Sequence, residues 1–203
     1  MRKLYSALAA LTAVVALSVC WAADSGAPTV APIGSSASPF SLQDQDGKIV
    51  NLSDFAGKIV VLEWTNPECP FVQRHYQAHT MTTLFGKFHP EGVQWVAINS
   101  THDVTDADNR TWVMQQALPY PVLNDASGTV GHSYGATNTP EMYIVGKDGK
   151  LMYKGAIDND RDGDMTAGKI NYVDQALTEI LAGKPVSVPE TKAYGCTVHY
   201  ATN

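Results

Sequence analysis

The chain has 203 residues, 44% hydrophobic and 17% charged, with a formal net charge of −6. That is enough apolar material for one globular domain with a real core, and the acidic balance argues against nucleic acid or an anionic membrane surface as a partner. At the N-terminus, Arg2 and Lys3 precede an apolar run from Leu8 to Val19 and then small residues around Ala22 and Ala23. This pattern predicts a secretory signal peptide over residues 1–23 and an exported protein, periplasmic or extracellular. The run is short for a span of ~20 residues, and Val19 is a poor residue ahead of a lipidated Cys20, so no membrane association is expected after cleavage. Cys20 leaves with the signal. The mature chain then keeps Cys69 and Cys196, and an even pair in an oxidising compartment suggests a disulfide, permanent or transient.

Residues 24–37 are rich in Ser, Ala, Pro and Gly and read as a flexible lead-in. A domain over residues 38–185 begins with an alternating pattern from Phe40 to Leu52 that turns at Asp46-Gly47, a hairpin signal. Lys58 to Thr65 is a continuous apolar run, as expected for a strand buried on both faces. One helix is predicted from about Cys69 to about Phe88, with Pro70 in its first turn. Val93 to Ser100 is the next buried strand. A helix follows Thr105, a plausible N-cap with Asp108 three residues on. Tyr120 to Asp125 is a short extended segment, and Glu141 to Ile157 a hairpin across Lys147-Asp148-Gly149. The last helix places Ile170, Val173, Ala176, Leu177, Ile180 and Leu181 on one face and stops at Gly183 and Pro185. Residues 186–203 form a tail that carries Cys196. Alternating strands and helices argue for an α/β fold with the late hairpin antiparallel at one side of the sheet.

The entry segment "FSLQDQDGKIVNLSDFAGK", the strand-to-helix segment "LEWTNPECPF" and the block "TNTPEMYIVGKDGKLMYKG" together resemble the thioredoxin-like superfamily. More narrowly the chain resembles its redoxin branch, the alkyl hydroperoxide reductase and thiol-specific antioxidant (AhpC/TSA) type, over roughly Ser38 to Gly183. The resemblance implies a central mixed β-sheet flanked by helices, with the N-terminal hairpin as an extension. It also implies that Pro140 is a cis-proline beside Cys69, and that Thr139 offers backbone groups to an extended thiol substrate. Two departures stand out. Peroxiredoxins carry a P-x-x-x-T/S-x-x-C loop, whereas Pro67 lies only two residues before Cys69, and Met152 and Lys154 stand near the place of the peroxiredoxin arginine. Thioredoxins carry a C-x-x-C pair, and here Val72 replaces its second cysteine.

A cysteine entering a helix meets unpaired N–H groups and the positive end of the dipole, which favour the thiolate. Cys69 is therefore the expected nucleophile, with Arg74 and His75 in the following turns able to help and Glu68 opposing them. Cys196, 127 positions downstream (196 − 69), is the expected resolving partner. The bond between them is open to three readings: redox-cycling, a permanent staple worth on the order of 4–5 kcal/mol by loop entropy, or a link between two chains. Thr139, Pro140 and Trp64 are the substrate-positioning candidates. No metal or organic cofactor is expected, and the partners are a peroxide or a disulfide together with an external thiol electron donor.

Weaker signals have plainer readings. His75 and His79 are spaced i, i+4 and could share a metal with Cys69. The glutamate of an H-E-x-x-H motif does not follow His75, however, and the paired C-x-x-x-C of thioredoxin-like copper-delivery proteins is absent, so they read as a solvated helix face. Asp158, Asp160, Asp162 and Gly163 imitate a calcium loop, but its twelfth position is Lys169, so the segment reads as an acidic surface loop. Trp64, Trp95 and Trp112 are most simply core, although Trp64 and Phe71 flank the cysteine. A non-catalytic metal-delivery or binding protein of the same fold, and a structural module with a permanent disulfide, are the alternatives to an enzyme.

Overall fold

The computed structural model describes residues 30–165 and 167–201. The predicted signal segment lies outside these residues. The elements, in chain order, are β1 (Ser41–Asp44), β2 (Ile49–Asn51), β3 (Val60–Trp64), α1 (Pro70–Gln77), α2 (Thr80–Phe88), β4 (Gln94–Asn99), α3 (Asp106–Gln116) and β5 (Val122–Asn124). They continue with α4 (Thr129–Tyr134), β6 (Asn138–Thr139), β7 (Glu141–Val145), β8 (Leu151–Gly155), α5 (Tyr172–Leu181) and β9 (Cys196–Thr197).

The main sheet runs β2-β1-β5-β4-β3-β7-β8. Its centre, β5-β4-β3, is parallel, and β7, β8, β1 and β2 add antiparallel strands on the two sides. This is the mixed, helix-flanked sheet of the thioredoxin-like fold, with the N-terminal hairpin as an extension of one edge. The period-2 alternation of the central strands divides them between two cores. Val61, Trp95 and Ala97 face the layer of α1, α2, α3 and α5, while Val60, Leu62, Trp64, Val96 and Ile98 face the layer of α4 and the tail. Both sets are buried, and for this reason these strands read as unbroken apolar runs.

Two expected elements differ. The single helix over 69–88 is two, because His79 adopts a left-handed conformation (φ 55°) between α1 and α2. With the helix broken there, His75 and His79 no longer share a face. The supposed flexible lead-in is tied down in its described part: Gly34 and Ala37 donate to Leu151 and Gly149 carbonyls, and the Leu151 amide donates back to Ser35. Thr105 caps α3 as expected, accepting from the Asp108 amide while Asp108 reaches back to the Thr105 amide.

In its described residues the tail is held by backbone pairing. The Lys154 amide donates to Pro189, the Thr191 amide to Lys154, the Val198 amide to Thr137 and the His102 amide to His199. Tyr200 closes over α4, its hydroxyl donating to the Ala136 carbonyl at 2.8 Å. Gly128 and Gly131 permit this, since a Cβ would lie 2.6 Å from the Tyr200 ring at Gly128 and 2.3 Å from its hydroxyl at Gly131.

Ile98, on β4, is wholly buried, whereas Met114 on α3 is 67% exposed. Ile98→Ala is expected to cost 2–5 kcal/mol by cavity formation, against roughly 0.5 kcal/mol or less for Met114→Ala. Urea midpoints at constant slope check this. Equal effects would mean that the assigned layering is wrong.

Candidate active site

Cys69 is the N-cap of α1 and Pro70 its first residue. Proline has no N–H, so the first free amides of the helix belong to Phe71 and Val72. Both sulfurs lie at this one helix N-terminus, where the Val72 amide lowers the Cys69 thiol and the Phe71 amide lowers Cys196. The two Sγ atoms are 2.7 Å apart, and both cysteines are free thiols. The Cys196 backbone amide adds a further, smaller lowering influence on Cys69.

The two sulfurs are not equivalent. Cys69 is 2% exposed, whereas Cys196 is half-buried. Burial pushes the Cys69 thiol up, but hydrogen bonds from the Cys196 thiol and from the Val72 and Cys196 amides outweigh it and hold Cys69 below its ordinary value. Burial raises Cys196, and its position beside Cys69 raises it further, with only the Phe71 amide opposing. Within the pair the negative charge therefore settles on Cys69 and the proton on Cys196.

Thr139 and Pro140 lie where the resemblance implied. The Thr139–Pro140 bond is cis, and the Thr139 carbonyl is 3.0 Å from the Cys69 sulfur, positioned to accept from its S–H. Trp64 does not join them. It is 0% exposed, packs against Tyr134 and Tyr143, and donates to Ser100 at 3.1 Å. With no surface to offer a substrate, it is a core residue. Arg74 and His75 do not help the thiolate either. The Arg74 guanidinium donates to the carbonyls of Asp160 and Arg161, and His75 is turned into a buried cluster.

That cluster was not anticipated. The Tyr194 hydroxyl donates to Asp158 in a short hydrogen bond and lies 3.0 Å from His75 Nε2, so that it accepts from the imidazole N–H. Asp158 and Asp160 both reach the Lys169 ammonium, at 3.1 and 3.0 Å. The centre of the calcium-like loop is thus a lysine, and Asp160 also accepts from the amides of Gly163, Asp164 and Met165. Tyr194 stands two residues before Cys196, so this cluster fixes the tail immediately ahead of the second sulfur. The sequence signal was the same acidic loop, but nothing in it points to a tyrosine near the chain's end.

On the other side of α1, Glu63 is wholly buried on β3 and accepts from Tyr76 at 2.8 Å and Trp95 at 3.0 Å. Burial raises it to about 7 despite these hydrogen bonds. His75 is held down to about 4, mainly by burial and against the pull of Asp158.

A family model for the AhpC/TSA family matches residues 33–154, a block that stops short of Cys196. Thiol-disulfide oxidoreductase ResA from Bacillus thuringiensis subsp. konkukian is 32% identical over 120 residues, which covers 59% of this chain and 67% of that protein. A crystal structure of an uncharacterized conserved protein from Geobacillus kaustophilus superposes with a TM-score of 0.77 at 28% identity, covering 85% of this chain and 94% of the other. Peroxidoxin BcpB from Mycobacterium tuberculosis gives a TM-score of 0.56 at 19% identity over 75% of this chain and 97% of its own, a likeness in fold alone.

The two buried titrations oppose one another. Glu63, raised from 4.5 to about 7, favours the folded state below pH 4.5, and that advantage is lost as pH rises toward 7. His75, lowered from 6.5 to about 4, favours it above 6.5, and that is lost as pH falls toward 4. Wild-type stability should therefore be nearly flat between about pH 4.5 and 6.5. Glu63→Gln should rise across that window and gain on the order of 3 kcal/mol relative to wild type at pH 8, less what the altered hydrogen bonds cost. Urea titrations across pH decide; a pH profile unchanged by Glu63→Gln would rule out a shifted Glu63.

Proposed function

The chain belongs to the AhpC/TSA family, and on that footing we propose that it is an exported thiol–disulfide oxidoreductase with Cys69 as nucleophile and Cys196 as resolving thiol. The oxidoreductase class rests on the likeness to ResA, and export on the N-terminal sequence. The observation that carries the site assignment is the contact of two free sulfurs, 2.7 Å apart and 127 positions distant in sequence, at the first turn of one helix.

The Cys69 thiolate attacks one sulfur of a substrate disulfide. The substrate S–S bond breaks, one substrate thiolate leaves and takes up a proton, and a mixed disulfide forms on Cys69. Cys196 then gives up its proton and attacks the Cys69 sulfur, expelling the second substrate thiol. Two electrons have passed to the substrate, and the protein is left with a Cys69–Cys196 disulfide. An external thiol donor returns it to the dithiol state, becoming a disulfide itself. In that half-reaction Cys196 is the better target, because it is the more exposed sulfur and its attack expels Cys69, the better leaving thiolate. A hydroperoxide is the less favoured oxidant: the threonine or serine of the peroxiredoxin loop is missing, and Arg74 is committed to carbonyls away from the sulfurs.

Reduced wild-type protein mixed with a stoichiometric small disulfide should lose two hydrogens by intact mass and yield a Cys69–Cys196 crosslink on mapping. Cys196→Ser should stop at an adduct on Cys69, and Cys69→Ser should react on the order of 10³-fold more slowly, through Cys196 alone. A crosslink that forms only with hydrogen peroxide would replace the disulfide reading with a peroxidase, and an inert Cys69 would dismiss both.

The direction of the return step has its own test. Oxidised protein given limiting monothiol and quenched in acid should carry the adduct on Cys196. An adduct on Cys69 would reverse the assigned leaving group.

A further inference from the structure

β9 pairs antiparallel with β6, in register Thr139↔Cys196 and Asn138↔Thr197. The backbone edge nearest the Cys69 sulfur is therefore already filled, by a strand of the chain itself that carries the second thiol. Resting on the thiol–disulfide reading above, we propose that the tail is a selectivity strap: it occupies the edge on which an extended peptide would dock, and so restricts Cys69 to compact, low-molecular-weight disulfides.

An open strand edge is where an extended polypeptide gains main-chain hydrogen bonds and register, and these hold a peptide's cysteine against a nucleophile. Here that edge is closed at short range. Gly195 has φ 128°, and a Cβ on it would lie 2.1 Å from the Thr139 carbonyl oxygen, so the strap approaches β6 as closely as only glycine allows. The Asn138 side chain also donates to the Gly195 carbonyl at 3.3 Å. A peptide added to the outer edge of β9 instead would lie a further ~4.8 Å from Cys69.

The strap is anchored on both sides of Cys196 independently of any S–S bond. Ahead of it, Tyr194 is buried between His75 and Asp158, and the Thr191 hydroxyl accepts from the Ala156 amide at 2.9 Å. Beyond it, Val198 is buried and Tyr200 is fastened to Ala136. A groove of about 470 Å³ lies along the strap, lined by Asn138, Asp158, Arg161, Lys192, Tyr194 and Gly195 and by neither cysteine, and it offers no free strand edge. What stays exposed at the sulfurs is part of the half-buried Cys196, since Cys69 is 2% exposed.

The test compares two substrates with the same leaving thiol. One is 2-hydroxyethyl disulfide, and the other a cysteine-containing peptide of about ten residues in mixed disulfide with 2-hydroxyethanethiol. Adduct formation on Cys69 is followed by mass in the full chain carrying Cys196→Ser, so that only the first step is read, and the peptide-to-small rate ratio cancels general changes in thiol reactivity. The strap predicts a ratio of roughly 0.1 or less, the factor that about 1.4 kcal/mol of lost docking would give. Adding Tyr200→Ala, which frees the far anchor, or Tyr194→Phe, which removes the hydroxyl held by Asp158, should raise that ratio roughly tenfold. Circular dichroism confirms that each variant is folded, and either one suffices if the other is not. A ratio near one in the parent, or an unchanged ratio in a folded strap variant, overturns the proposal while leaving the Cys69 assignment standing. Failure of Cys69 to react with either substrate in any variant overturns the underlying reading and the strap with it.

Discussion

The first turn of α1 is the constraint on which the site depends. A helix leaves its leading amides unpaired, and because Pro70 contributes none, the nearest available amides are those of Phe71 and Val72. Each lowers a different sulfur, Val72 that of Cys69 and Phe71 that of Cys196. A C-x-x-C motif brings its second thiol to this place through one turn of the same helix. Here Val72 occupies that position and is fully buried in the core, so the second thiol has to come from elsewhere. The tail supplies it, and the supply depends on the β6–β9 pairing and on a glycine that tolerates the approach to Thr139.

The turn of α1 that follows ties this helix to its surroundings. His75 and Tyr76 are both buried and point to different neighbours. His75 meets Tyr194 and so joins the helix to the tail, while Tyr76 donates to Glu63 and so joins it to the central strand β3. Each connection ends in a buried carboxylate, and the two are accommodated differently. Asp158 is paired with the Lys169 ammonium, which offsets the cost of burying its charge. Glu63 has only hydroxyl and indole donors, so burial drives it toward the protonated form near neutrality. Helix α1 is thereby fixed on both flanks in its second turn, six and seven residues beyond Cys69.

How much of this was legible in the sequence follows from the range of each signal. The strands β3 and β4 and the helices α3 and α5 have periodicity and capping within a dozen residues, and local pattern identifies them. Cys69 was recognisable because strand, loop and helix start fall within "LEWTNPECPF", and Pro140 because a whole block matched a known family. The break at His79 was not legible, since a left-handed residue between two helical stretches leaves the apolar spacing intact. Nor were α4, which has six residues and an internal glycine, or β9, whose two residues have no period to detect. Cys196 was found by counting thiols rather than by pattern. The Tyr194–Asp158–Lys169 cluster joins segments that only the tertiary fold brings together, and Trp64 shows the converse error: nearness to Cys69 in sequence placed it at the substrate, whereas strand alternation turns its ring to the opposite core.

A second thiol delivered by a strap differs physically from one delivered by a helical turn. The strand that carries Cys196 is paired and anchored on both sides by contacts that do not involve an S–S bond. The ordering of the 126 residues between the two cysteines is met by folding, so in the proposed mechanism attack of Cys196 on a Cys69 adduct would be close to a reaction between preorganised neighbours. On the strap proposal the same anchoring would limit what can reach Cys69, because the β6 edge that an extended substrate would use is paired with β9. On these proposals, resolution by Cys196 and a closed strand edge would be one property of the tail. Loosening it should weaken both together, whereas in a C-x-x-C site the resolving thiol and the docking edge belong to different elements and can vary separately.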